Sequence, residues 1–119
     1  MTTEALVILL QEALKRLAEP FTQQADYLKT LGIWPSIDEL ALELDDVAPL
    51  VPEAVRKGEL SKEVELAVER VHEKLDEMSG QQNAHLWTPD ALANSSEWET
   101  VRLLASEALR KLEMDAGDS

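Results

Sequence analysis

An all-α fold, arranged as a compact single-domain bundle of four to six helices, is what this sequence predicts, and three observations carry the expectation. Apolar residues recur at three- and four-residue spacing almost throughout the 119 residues. No stretch alternates strictly between apolar and polar side chains between hairpin turns. Proline and glycine fall where the periodic segments end. The bundle is expected to occupy residues 1–113, with 114–119 as a frayed acidic tail.

The first helix is expected to begin after Thr2 or Thr3, with Leu6, Leu9, Leu10, Leu14 and Leu17 on one stripe. Pro20 removes a helical hydrogen bond if it sits inside a helix and costs little in the first turn of a new one, so a kinked helix and two consecutive helices both fit. The stripe resumes with Phe21, Ala25, Leu28 and Leu31, and Gly32 closes it. Ser36 and Glu39 in "SIDE" have capping-box spacing and open a third helix that runs to about Ala48. Its apolar stripe is Ile37, Leu40, Ala41, Leu44, Val47 and Ala48. Pro49 and Pro52 then break the chain, and "PEAVRKG" reads as a short helical turn closed by Gly58. Ser61 caps the clearest helix, striped by Val64, Ala67, Val68, Val71, Leu75 and Met78. Residues 79–96 are the longest stretch poor in charge and in period and read as a loop, although Thr88-Pro89-Asp90 signals a short helix inside it. Ser96 and Glu99 form a second capping-box pattern, opening a last helix on Trp98, Val101, Ala105, Ala108, Leu109 and Leu112.

Composition excludes several classes of function. Hydrophobic residues at 45% and charged residues at 29% are ordinary globular values, so wholesale disorder is excluded. With 24 acidic against 11 basic residues the formal net charge is −13. Both halves share it, since residues 1–60 carry 11 acidic and 5 basic side chains and residues 61–119 carry 13 and 6. Such a field repels nucleic acid and anionic lipid and accelerates the approach of basic partners. The chain has no cysteine, which excludes disulfides and thiolate metal sites and fits a reducing compartment. The apolar run "ALVILL" follows Glu4 and is far shorter than the roughly 20 residues of a membrane span. A cytoplasmic protein is the expectation.

Three leucines break the helical pattern. Stepping about 100° per residue around the third helix, Leu42 falls within the acidic face formed by Asp38, Glu39, Glu43, Asp45 and Asp46. Leu66 falls opposite the stripe of the 61–78 helix, beside Lys62, Glu69, Arg70 and Glu73, and Leu103 falls among Glu99, Glu107 and Arg110. Helices buried on two sides, or scattered exposed leucines of no consequence, explain such positions without function. An apolar anchor ringed by charge is also the arrangement of an interface hot spot with a polar rim. Leu42 is the strongest instance, because residues 30–55 contain six acidic residues and no basic one. The macrodipole favours Asp38 and Glu39 at the N-terminus of that helix but not Asp45 and Asp46 toward its end. Three of the five aromatic residues are tryptophans, and Trp87, within the polar 79–96 segment, reads either as a contact residue or as the pin of its own loop.

Catalytic patterns are incomplete. Glu69 and His72 have the E-x-x-H spacing of carboxylate-bridged metal bundles, but that element occurs once and the chain has only two histidines. "EKLD", Glu73 to Asp76, has the E-x-x-D spacing used for magnesium, yet the matching E-x-x-E element is absent because Leu42 stands where a carboxylate is needed. There is neither a phosphate-binding glycine loop nor a Ser-His-Asp arrangement. No catalytic residue, metal or cofactor is therefore assigned, and the chain is not expected to be an enzyme. The leading expectation is a small acidic inhibitor of immunity or antitoxin type. It occludes a basic protein partner, such as a nuclease or another toxic enzyme, through Asp38, Glu39, Leu42, Glu43, Asp45, Asp46 and Trp87. A self-associating scaffold that buries the off-face leucines and "ALVILL" in a homodimer is the alternative, and a small metal-dependent enzyme built on Glu69, His72, Glu73 and Asp76 comes third.

Overall fold

In the computed structural model, which describes residues 2–117, seven α-helices account for most of the chain, and no strand occurs among the described residues. They are α1 (Thr3–Ala18), α2 (Phe21–Thr30), α3 (Glu39–Val47), α4 (Val51–Arg56), α5 (Lys62–Glu77), α6 (Pro89–Asn94) and α7 (Ser96–Gly117), with 3₁₀ turns at Ala48–Leu50 and Gln81–Leu86. Seven exceeds the predicted four to six because two of them, α4 and α6, are single short turns of six residues. The radius of gyration is 14.3 Å, near the roughly 13.5 Å of a compact domain of this length.

The axis of the bundle is α7. Trp98, Val101, Ala105, Ala108 and Leu112 of α7 are fully buried, and α1 and α5 both pack along it. Ala105 and Ala108 present only methyl groups, which lets neighbouring backbones approach closely while the leucines of α1 and valines of α5 fill the space. The third long contact is α3 on α1, with Leu40 and Leu44 fully buried. Every residue of the predicted α5 stripe is buried. On α1 and α2 the stripes need correction. Leu9 is 39% exposed and Leu31 51% exposed, because the core arc of α1 runs through Leu6, Leu10, Ala13, Leu14 and Leu17, and Leu31 lies at the C-terminal cap of α2.

Helix ends follow local chemistry, with two corrections. Thr2, Ser61 and Thr88 cap α1, α5 and α6 by accepting from the amides of Ala5, Val64 and Ala91. Pro20 separates two consecutive helices rather than kinking one. The Ser36–Glu39 capping box does not form: Ser36 contributes its backbone carbonyl to Glu39, and α3 begins without a side-chain cap. At α7 the cap is Ser95, one residue earlier than expected, with its Oγ 3.2 Å from the Trp98 amide. Gly32, Gly58 and Gly80 have positive φ at chain reversals, a conformation that L side chains adopt at a cost. The 79–96 segment is ordered by a 3₁₀ turn and α6 rather than being a plain loop. Of the tail 114–119, residues as far as Gly117 belong to α7, and residues 118–119 lie outside the described residues.

One buried polar network ties these parts together. Gln24 of α2 has no solvent exposure. Its amide nitrogen donates to the carbonyls of Arg16 and Leu17 at 3.1 and 3.2 Å, which are orphan acceptors at the end of α1. Its Oε1 accepts from Nε and Nη2 of Arg102 on α7 at 3.3 and 3.0 Å. Arg102 donates in addition to the Leu92 carbonyl of α6 and pairs with Glu99. Burial lowers the pKa of its guanidinium below the usual range, and Glu99 opposes that shift.

Two predictions concern this architecture. Gln24→Leu retains the bulk but strands two carbonyls and takes one acceptor from the largely buried Arg102 guanidinium, and is expected to lower the unfolding free energy in urea by about 3 kcal/mol. Adding Arg102→Leu is expected to recover at least about 1 kcal/mol relative to the sum of the single changes, as groups in one network do. Ser95→Ala is expected to cost about 1 kcal/mol and Ser96→Ala less than about 0.5 kcal/mol, since only the first removes a cap.

Candidate functional site

The outward face of α3 carries the predicted contact residues on one ridge. Burial of Leu40, Ala41, Leu44 and Val47 on the inner side leaves Asp38, Leu42, Asp45 and Asp46 exposed, with Glu39 and Glu43 half-buried. Leu42 is 43% exposed, so the helix is not sandwiched at that point.

Two shallow grooves flank the ridge. One, of about 240 Å³, is lined by Asp38, Ala41, Leu42 and Asp45 of α3 together with Ser79, Gly80 and Trp87. The structure thus brings Trp87 to Leu42. The other, of about 310 Å³, is lined by Glu43, Asp46 and Val47 with Leu9 and Glu12 of α1 and Tyr27 of α2. Glu43 and Asp46 therefore face a different neighbour from Leu42 and Trp87. Leu66 and Leu103 are exposed on α5 and α7 but line neither groove, so the three off-face leucines do not make one patch.

Trp87 pins its own segment to the bundle. Its Nε1 donates to the Met78 carbonyl at 2.7 Å, and its ring meets Trp98 edge-to-face with centroids 5.3 Å apart. Trp98 in turn donates to the Leu86 carbonyl at 2.6 Å. These contacts pin the 79–96 segment to the bundle while the half-buried indole forms one wall of the Leu42 groove.

Several acidic side chains of the ridge are engaged within the chain. Asp45 lies 3.0 Å from Nε2 of His72 on α5, nearer than Asp76, which lies 3.6 Å from Nδ1. His72 thus makes an inter-helix contact that joins α5 to the acidic ridge of α3. Glu43 accepts from the Tyr27 hydroxyl, and the Arg16 guanidinium stacks 3.7 Å from the centre of the Tyr27 ring. The bond to Glu43, assisted by burial, raises the phenol pKa above its ordinary value. Asp38, Glu39 and Asp46 have no ion-pair partner among the described residues.

The acidic residues of α5 considered for metal binding do not converge. Among the described residues no three His, Asp or Glu side chains gather in an arrangement able to hold a metal ion, and His72 is turned toward Asp45 rather than toward Glu69. No family model, no curated protein and no solved structure matches the chain. Sequence reasoning missed Tyr27, Arg16 and His72 as neighbours of the ridge. They come from three other helices, and nothing local marks them.

The lone tyrosine makes the Glu43 contact measurable. Tyr27 is expected to ionise above the ordinary phenol value of 10.0, and Glu43→Gln is expected to bring the midpoint of the tyrosinate absorbance down toward it. Because the folded pKa is the higher one, the stability linked to Tyr27 is present below pH 10.0 and is lost as the pH rises through the raised value. An unchanged midpoint in Glu43→Gln would show that the contact does not persist in solution.

Proposed function

We propose that the protein is a cytoplasmic protein-binding module that inhibits a basic partner by occlusion, in the manner of an immunity protein or antitoxin. The observation that carries this reading is the exposed Leu42 set between carboxylates on the α3 ridge and sharing a groove with Trp87. An apolar anchor beside an aromatic wall supplies the desolvated centre of an interface, and the surrounding acids supply its rim. Asp38 and Asp45 border the same groove as Leu42, while Glu39, Glu43 and Asp46 extend the negative field across the ridge. A net charge of −13 steers a basic cleft toward this face and raises the rate of encounter. The partner class is a nuclease or another toxic enzyme whose basic active cleft the ridge would cover.

Self-association remains a second reading because Ile8 and Leu9 of "ALVILL" are exposed on α1, and Ile8 shares a surface groove with Leu109 of α7. The two readings place the interface on different helices.

Capture of partners from host lysate at low and at high salt separates them. A single stoichiometric basic protein, released by salt, is expected with the native chain. Leu42→Asp is expected to weaken its binding about thirtyfold, the factor equivalent to a hot-spot loss of about 2 kcal/mol. Charge reversal of Asp45 and Asp46 is expected to lower the association rate, and both variants should keep the native helical circular dichroism. Normal binding by both variants would overturn the assignment of this face. A dimer in sedimentation that Ile8→Asp dissociates would replace inhibition with self-association.

A further inference from the structure

A further groove, with His72 in its lining, lies between the Ala48–Arg56 corner and α5. Ala48, Pro49, Val51, Pro52 and Val68 form its apolar lining, and Glu65, Glu69, His72 and Glu73 of α5 form its polar side. Its volume of about 240 Å³ falls below the roughly 300–1,000 Å³ of small-molecule sites and suits one or two inserted side chains. Pro49 and Pro52 have no amide hydrogen, so this wall offers fewer backbone donors that need water.

The carboxylates are arranged at a cost to the isolated chain. Glu65, Glu69 and Glu73 stand four residues apart along one row of α5, and like charges at that spacing destabilise a helix. Glu65 is only 7% exposed, and its one ion-pair partner among the described residues is Lys62, whose own side chain is 69% exposed. Neither Glu69 nor Glu73 has an ion-pair partner among the described residues. An apolar floor edged by the unpaired carboxylates of Glu69 and Glu73 matches one kind of visitor. Lysine and arginine lay their methylene stems on apolar surface and hold the charged head at its edge.

We propose that this groove is a docking site for a cationic amphipathic segment of a protein partner. An apolar side chain of the segment enters between Val51, Pro52 and Val68, and its lysine or arginine side chains pair with Glu69 and Glu73. The proposal rests on the preceding reading only in taking the partner to be basic, and it uses a different surface. The His72–Asp45 contact joins the two surfaces, so one partner can cover both.

The test uses the full chain labelled with ¹⁵N and a synthetic amphipathic helix of leucine and lysine as the probe. Amide shifts are expected to concentrate on 48–53 and 65–73. Glu69→Lys with Glu73→Lys is expected to weaken binding at least about tenfold, whereas Asp26→Lys with Glu113→Lys, of equal charge change on α2 and α7, changes it less than about twofold. Replacing the leucines of the probe by serine is expected to weaken binding by at least about tenfold as well. Equal losses from the two double variants, or equal binding of the serine probe, would reduce the effect to bulk charge and overturn the proposal. Leu42→Asp is expected to leave the groove shifts in place. If it abolishes them while the α5 reversal does not, the cationic segment belongs on the α3 ridge, and the groove proposal fails without harm to the inhibitor reading. A probe that competes with a dimer of this chain for the groove would make a second copy the occupant and likewise overturn it.

Discussion

Gln24 holds the geometry on which the rest of this bundle depends. A side-chain amide can satisfy acceptors and a donor at once, and here the fully buried Gln24 joins carbonyls in the last turn of α1 to the partly buried Arg102 of α7. Apolar packing of α1 on α7 tolerates small slides along the helices, because leucines and alanines are not strongly directional. The amide is directional, and a buried guanidinium that lost its acceptor would be costly. The α1–α2 corner is thereby fixed relative to α7 and, through the Leu92 carbonyl, relative to α6. Since α3 packs mainly on α1, the position of the acidic ridge is inherited from this network.

How far the fold was legible depended on whether the deciding interaction was local. The stripes of α3, α5 and α7 are set by 3.6-residue periodicity, and their buried sets match it almost residue for residue. Ser61 and Thr88 cap as expected because a cap involves only four residues. Ser95 displaced Ser96 because two adjacent serines offer the same chemistry, and only the chain path chooses between them. Gln24 and Glu65 lie outside the predicted apolar stripes, and both are buried. Their burial is decided by Arg102 and by the Ala48–Arg56 corner, neither of which is near in sequence.

The candidate site was legible in part for the same reason. Periodicity placed Leu42 opposite the core arc of α3, and its exposure is decided by the absence of a helix packed over that face. That Trp87 stands beside it follows from the ordering of the 79–96 segment by Met78, Leu86 and Trp98, a tertiary event with no local marker. The division of the ridge between a Trp87 side and a Tyr27 side is likewise a product of packing. It separates residues that share one helical face in projection.

Ion pairing explains why so much acidity is left available. All seven Lys or Arg ion pairs among the described residues join side chains three or four positions apart, and the contact that joins two helices is His72 with Asp45. Exposed pairs of the first kind contribute little, a median of about 0–1 kcal/mol each, so charge does not choose the fold; the apolar stripes and the Gln24 network do. Because the bases number fewer than half the acids, no rearrangement within the chain neutralises the remainder. The surplus carboxylates on α3 and α5 then oppose the compact state through mutual repulsion, and a bound cationic surface removes that opposition. A cationic partner that bound only the folded form would raise its stability with the logarithm of one plus its concentration over its Kd. Tolerance of a charge of −13 thus follows from one arrangement, a fold fixed by apolar stripes and the Gln24–Arg102 network, with the surplus acids left at the surface.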